Sequence, residues 1–516
     1  MAPPAGPSST TDSSTTDTTS TSTTTTAQQQ PPPPRSRPTL VTGSTGYIGG
    51  LLVPRLLAAG HRVRVLVRHP DRIAELPWRG QVEVVTGDAT DPAALTEALA
   101  GAGVAYYLLH SMDGAGDFVA RDRALAAAFA HAARTAGLER LVYLSGLHPE
   151  GTDLSDHLAS RVEVGEVLLA SGVPTAVLQA GVVLGDGSAS FDMLRHLAER
   201  LPAMIAPRWL DNRIQPIAVA DALHHLVAAA DLPPEVNRTI DIGGPDVLTY
   251  REMMQRYARL TGIGRRLVAT VPVLTPGLAS HWVGLVTPVP SGVARPLVAS
   301  LVHDAVVGDG GGVDGRVDGD VDDGDTAADL LGPPPGGATG FDEAVLAATE
   351  TYDPLAWRRT IGEVGIATLA CAVVGGVLTS TDSRWYRSLR LPRWQPPAAV
   401  FPVVWTALYS GIALSSAATV AELADSDDPD DVAAGQAFRL ALGVNLALNT
   451  AWSAVFFRGH APRAATVCAA ALAVSSADLA RRAAPLGAGR AAVLGAYAAW
   501  CGFATALTGA IARRNR

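Results

Sequence analysis

Cysteine is scarce in this 516-residue chain: three occur, Cys371, Cys468 and Cys501. All three lie inside apolar stretches and none has metal-site spacing, which excludes a disulfide framework and a structural metal centre. A basic face is also missing. The formal net charge is −9, with acidic residues gathered between Asp425 and Asp431 and after Gly308, so no nucleic-acid partner is expected. Residues 1–37 hold a Ser/Thr run, Gln28 to Gln30 and Pro31 to Pro34, with neither a basic start nor an apolar centre. They do not read as a secretory signal, and they have too little apolar area to offset the entropy of ordering.

What is abundant is apolar sequence, concentrated in the last third. Five stretches, at about 360–380, 398–422, 436–457, 461–480 and 490–511, are each long enough to cross a bilayer. Roughly 20 residues at about 1.5 Å each span about 30 Å of hydrocarbon. The expected layout is a disordered tail at 1–37, a soluble domain at 38–305, a flexible Gly/Asp-rich linker at 306–354 and a membrane domain at 355–516. The linker's acidic spacing fits no calcium loop.

The soluble part opens on a short β-branched run, Thr39 to Thr42. It feeds into Gly43-Ser-Thr-Gly46-Tyr-Ile-Gly49 and then a helical pattern ending at Gly60. Strand, glycine turn and helix in that order put backbone amides and a helix N-terminus against a pyrophosphate. The candidate cofactor residues are Gly43, Thr45, Gly46, Tyr47, Ile48 and Gly49. Further strands are expected near 62–67, 81–85, 104–109, 140–145 and 175–180, alternating with helices. This predicts an α/β doubly wound parallel sheet. The second strand ends in Arg68 rather than an acid. With Arg64 it suits a ribose 2′-phosphate, favouring NADP(H) over NAD(H). Asp88 is placed either to touch the adenine or to hold a turn. The apolar segment 265–305 either closes over a hydrophobic pocket or packs on the sheet.

These residues, together with Tyr143-Leu-Ser-Gly146, His157-Leu-Ala-Ser-Arg161 and Gly187-Ser-Ala-Ser-Phe191, resemble the atypical branch of the short-chain dehydrogenase/reductase superfamily. Active members place a serine, a tyrosine and a lysine in sequence after the fifth strand. Here the resemblance assigns those places to Ser145, His157 and Arg161. Histidine can act as a general acid near neutral pH, and arginine can hold the ribose and keep a positive field. The alternative gives both residues a cofactor-binding or helix-capping role.

The third apolar stretch holds Asn445, Asn449 and Trp452. Amides in hydrocarbon must face a partner or a cavity, so both asparagines are expected to point inward. Trp385-Tyr386, Pro392-Arg-Trp394-Gln-Pro-Pro397, Phe401 to Tyr409, Asn449 to Phe457 and Tyr497-Ala-Ala-Trp500 resemble the TspO/MBR family of tryptophan-rich sensory proteins. The resemblance implies an all-α five-helix transmembrane bundle, often dimeric, that binds tetrapyrroles such as porphyrin, or sterol-like ligands. The ligand would meet Trp385, Trp394, Trp405, Tyr409, Asn449, Trp452 and Trp500. Ala399, Ala496 and Thr508 depart from the family pattern.

Arginine counts of the loops place the soluble domain outside, whereas a dinucleotide site places it in the cytoplasm. The cofactor argument outweighs the loop count because large domains follow charge poorly. Three functions fit: a membrane sensor or ligand-handling protein coupled to redox state, an NADPH-dependent oxidoreductase acting on an apolar membrane-derived substrate, or a non-catalytic scaffold stabilised by NADPH.

Overall fold

The computed structural model describes residues 36–109, 118–149, 154–271, 291–308, 326–426 and 428–515. The tail, most of the Asp/Gly run and residues 272–290 of the apolar segment lie outside the described residues.

Seven parallel strands form one sheet. Six are β1 (Thr39–Thr42), β2 (Val63–Val67), β3 (Glu83–Thr86), β4 (Val104–Tyr107), β5 (Arg140–Gly146) and β6 (Thr175–Ala180). The seventh, Arg238–Ile242, was not anticipated and pairs with β6 from Arg238↔Ala176 to Ile242↔Ala180. Across the sheet the order is β3-β2-β1-β4-β5-β6 and then this strand. The order reverses between β1 and β4, which opens a crevice at the strands' carboxyl ends.

The short strands are nearly continuous apolar runs because helices cover both faces. Helices α1 (Tyr47–Ala58) and α6 (Val219–Ala229) bury Leu52, Leu56 and Leu226 on one side. On the other, α2 (Pro92–Leu99), α3 (Phe118–Thr135) and α4 (Asp156–Leu169) bury Leu95, Phe129 and Leu168. Side chains start two of these helices. Asp91 accepts from the Ala93 amide to begin α2, and Ser155 from the Leu158 amide to begin α4. A third core, around Phe191, Met253, Met254 and Tyr257, lies between α5 (Ala189–Arg200) and α7 (Tyr250–Leu260).

The expected linker needs correction. Its described second half, 326–352, folds onto the soluble domain. Leu331, Phe341 and Val345 are buried there. Asp221 Oδ2 accepts from the Thr339 amide at 2.7 Å, and Asp246 Oδ2 from the Phe341 amide at 2.8 Å. The Gly/Pro-rich run between them is tied down by carboxylates far away in sequence.

Among the described residues five helices are long and apolar enough to cross a membrane: Ala356–Leu378, Val400–Ala424, Pro429–Arg458, Pro462–Leu486 and Ala488–Arg514. Their outward residues are apolar and bare: Ile366 is 70% exposed, Leu440 72% and Val474 72%. A contiguous apolar surface of this kind fits lipid, not water. Inside, the expected inward asparagines form a chain. Tyr409 donates to Asn449 Oδ1 at 2.9 Å and Asn449 Nδ2 donates to Tyr497 at 3.0 Å. Tyr497 donates to Asn445 Oδ1 at 3.0 Å, and Asn445 Nδ2 donates to Ser476 at 3.0 Å. Four helices are thereby linked where no water competes.

Candidate functional site: a glycine-turn crevice and an aromatic membrane cluster

At the end of β1 the backbone turns through Gly43 at φ +70°. A Cβ there would meet Leu108 O at 2.4 Å, so only glycine fits both the dihedral and the space. Gly49, one turn into α1, sits so close that a Cβ would lie 2.3 Å from Gly43 O. Helix and turn therefore pack backbone to backbone. The start of α1 has no side-chain cap at Gly46 and no acid in its first turn, which leaves its amides and positive dipole end open to an anion. The buried hydroxyls of Ser44 and Tyr47 have no hydrogen-bond partner. Thr45 and Ile48 flank them on the same turn. The uncapped helix start beside the unpartnered Ser44 hydroxyl fits a pyrophosphate, whereas the Tyr47 hydroxyl lies against Gly185.

Around the adenosine end the arginines separate. Arg64 does not contribute as expected. Its guanidinium donates to Ala98 O at 2.8 Å and Ala100 O at 2.7 Å and pairs with Glu83 at 2.9 Å. Its place in the middle of β2 turns it to the sheet's flank. Arg68, at the strand's end, is 69% exposed and lies 3.9 Å from Asp88. Asp88 holds a turn, accepting from the amide and hydroxyl of Thr90 at 2.8 Å each. Those bonds keep its carboxyl below the usual range.

Ser145 ends β5, its hydroxyl buried beside Tyr143 without a well-formed hydrogen bond. His157 and Arg161 lie four residues apart on α4 and share a helix face. Burial, and then the Arg161 charge, lower His157 to about 3. It is a neutral imidazole at physiological pH, not the near-neutral acid anticipated. The chain contains no lysine anywhere, so no other residue can supply the family's usual cation. Tyr143 cannot replace the missing tyrosine, because its ring is in the core and its hydroxyl donates to Arg161 O at 3.4 Å. It braces the turn that carries Arg161. One pair escaped sequence reading: Gln179 Nε2 lies 3.1 Å from His148 Nε2, both buried. Gln179 stands at the end of β6 and His148 just beyond β5, and no local pattern marks His148.

Buried neutral histidines make stability depend on pH. Burial first, then nearby positive charge, lowers His157 to about 3 and His225 to about 4, from 6.5. Between those values the unfolded chain binds more protons than the folded one, so the stabilisation is complete above about pH 6.5 and is lost as pH falls. Thermal unfolding of the soluble domain within the intact protein is expected to shift downward between pH 6.5 and 4. An unchanged midpoint across that window would mean these imidazoles are solvated.

In the bundle the ring residues gather at the end of the spans remote from the soluble domain. Trp385 stacks on His460 at 4.5 Å and meets Phe456 edge-on at 5.5 Å. Trp452 stacks on Phe456 at 5.8 Å. Trp394 and Trp500 both contact Phe503, at 5.8 and 5.1 Å. Trp405 lies deeper, 5.3 Å from Tyr409. Asn449 and Tyr409 are committed to the interhelical chain described above. The indole N–H of Trp452 and the Gln395 Oε1 are buried without partners, a donor and an acceptor set among rings.

The two halves touch through α5 and the Ile263 loop on one side and the start of the first span and the end of the second on the other. Arg195 binds both Asp425 oxygens, at 2.9 and 3.3 Å. The Arg200 guanidinium lies 4.8 Å from the Trp357 ring centre, and Arg358 donates to Ile263 O at 3.0 Å.

Residues 43–172 match the NAD(P)H-binding family and residues 364–514 the TspO/MBR family. A ceramide reductase of Caulobacter vibrioides is 34% identical over 273 residues, covering 51% of this chain and 83% of that protein. A tryptophan-rich sensory protein of Cereibacter sphaeroides is 38% identical over 92 residues, 18% of this chain and 51% of its own. The chain thus spans about half of that relative. Among solved structures, an Escherichia coli NADPH-dependent quinone oxidoreductase with NADPH covers 60% of this chain and 98% of its own. Its TM-score is 0.45 at 22% identity. The chain is a multi-pass membrane protein that carries an NAD(P)H-binding domain, related to the ceramide reductase, in its soluble part and a TspO/MBR domain in its membrane part.

Proposed function

We propose that this protein is an NADPH-dependent reductase of an apolar carbonyl compound drawn from the membrane, with a ceramide-type lipid as the first candidate. The reading is supported by Ser145 at the end of β5 and by His157 and Arg161 on one face of α4, the helix that follows it. The name of the ceramide reductase relative supports the substrate class. Gly43, Thr45, Gly46, Tyr47, Ile48 and Gly49 would hold the pyrophosphate, with Arg68 at the 2′-phosphate and Arg161 at the ribose. When bound, the reduced dinucleotide supplies the hydride. Ser145 and the neutral N–H of His157 hold the carbonyl oxygen where negative charge develops, and His157 delivers the proton. A neutral imidazole polarising a carbonyl needs no protonated ground state, which suits its depressed basicity. The soluble domain faces the cytoplasm, where NADPH is available.

The test is NADPH consumption by the intact protein in lipid discs, offered ceramide-type, quinone or tetrapyrrole candidates. Binding of NADPH without consumption of any of them would reject the reductase reading. Arg68→Ala is expected to weaken NADPH binding about tenfold, the loss of one charge-assisted contact of about 1.5 kcal/mol, and to leave NADH unchanged. Equal losses for both cofactors would place Arg68 elsewhere.

A second reading, a sensor in which a bundle ligand reports on redox state, is favoured by α5. A Cβ on Gly187 just before its start would lie 3.5 Å from the Tyr47 ring of the glycine turn, while Arg195 in its middle binds the bundle at Asp425. Under it, quenching of bundle tryptophans by porphyrin depends on NADPH; no dependence would leave the halves uncoupled.

A further inference from the structure

Beside the first span lies an open groove of about 1120 Å³ that the reductase chemistry does not use. Among the described residues it is lined by four arginines, Arg251, Arg259, Arg265 and Arg266, and by no carboxylate. Two of these are held: Arg251 pairs with Asp211 at 2.8 Å, and Arg266 donates to Gly264 O at 3.1 Å. Arg259 and Arg265 are exposed. The groove's floor includes the strand Leu267–Val271, which pairs with Ala203–Pro207 in a two-stranded sheet and has no partner on its other edge among the described residues. On that strand Leu267 is 65% exposed and Ala269 is exposed too, alternate residues on one outward face. The groove is tied to the bilayer's edge. Ile263, in the loop that forms its rim, accepts from Arg358, the third residue of the first spanning helix.

We infer that this groove is a docking surface for the adjoining membrane leaflet, with Arg259 and Arg265 on anionic phospholipid headgroups and Leu267 in the interfacial layer. Charge complementarity selects the occupant: arginines flanking a bare leucine, at the level where the first helix enters lipid, match an anionic headgroup over an apolar boundary. The span tethers the domain at one point, and the groove adds a second contact that fixes its tilt. The inference does not depend on the reductase reading.

The test uses full-length protein in discs of neutral phosphatidylcholine or of phosphatidylcholine with phosphatidylglycerol, followed by amide hydrogen exchange over Gly262–Ala269. Several-fold slower exchange in the anionic discs is expected, reversed by high salt and absent in the Arg259→Glu/Arg265→Glu double variant. Because both side chains are exposed, the variant should retain NADPH binding, which reports that it is folded. Two results would overturn the inference. These are identical exchange in both discs (the leaflet's charge does not matter, or the chain's own segment covers the groove) and full protection by inorganic phosphate in neutral discs (a free anion suffices).

Discussion

Gly43→Ala is expected to lower NADPH affinity by at least about 100-fold. The native φ of +70° lies where an L-residue is strained by about 1–2 kcal/mol, and the new methyl would stand 2.4 Å from Leu108 O and 2.9 Å from its carbonyl carbon. Those are backbone atoms of the segment leaving β4, so no side-chain rotation relieves the clash. The turn must move, and the amides of α1 then no longer converge on one anion. Loss of two charge-assisted hydrogen bonds at about 1.5 kcal/mol each corresponds to about 100-fold. Gly101→Ala is the control. It has the same handedness, φ +69°, but nothing within 4 Å of its would-be Cβ, and it lies at the opposite end of β4. It should destabilise modestly and leave NADPH affinity intact. Calorimetric titration separates the two. Wild-type affinity in a folded Gly43→Ala protein would remove the dinucleotide from this turn.

His157→Ala is expected to reduce turnover by about 10²- to 10⁴-fold, the range of a positioned proton donor, with NADPH affinity preserved. Alanine alone does not separate proton delivery from a packing role, so Arg161→Gln adds a second readout. Arg161 is the second cause, after burial, of the low His157 basicity. Removing its positive charge makes protonation easier and raises the imidazole from about 3. If the neutral form is the active one, the acid limb of the rate profile moves to higher pH in Arg161→Gln. A profile that does not move, together with undiminished turnover in His157→Ala, would leave Ser145 and the cofactor to carry the reaction.

The glycine turn was legible because covalent geometry is local. A strand, two tight glycines and a helix admit few arrangements, and Gly43 and Gly49 occupy the places that the pattern requires. The inward asparagines were legible for a related reason: an amide in hydrocarbon has nowhere else to point, and Asn445 and Asn449 did pair across helices. What could not be read depended on distant partners. Arg238–Ile242 is a short run whose only mark as a strand is its pairing with β6. The stretch 326–352 reads as linker by composition, yet Asp221 and Asp246 anchor it through backbone amides. Arg64 resembles a phosphate ligand in sequence, but two carbonyls and Glu83 claim it. His157 occupies the anticipated position while its ionisation follows from burial, which spacing does not report.

The bundle's aromatic end and the crevice lie on opposite sides of the spans. A 23-residue helix such as Ala356–Leu378 is about 34 Å long at about 1.5 Å per residue. On the proposed reading, an apolar substrate reaches the crevice by way of the leaflet, while the rings serve a separate ligand.

Isotope transfer tests the reductase account most directly. Intact protein in discs made from native lipid extract is supplied with NADPH deuterated at the transferable position, and the lipids are then analysed by mass spectrometry. The account predicts that a carbonyl-bearing apolar lipid gains the label as it becomes an alcohol, and that His157→Ala largely abolishes the gain. Bound NADPH with every lipid unlabelled would contradict it.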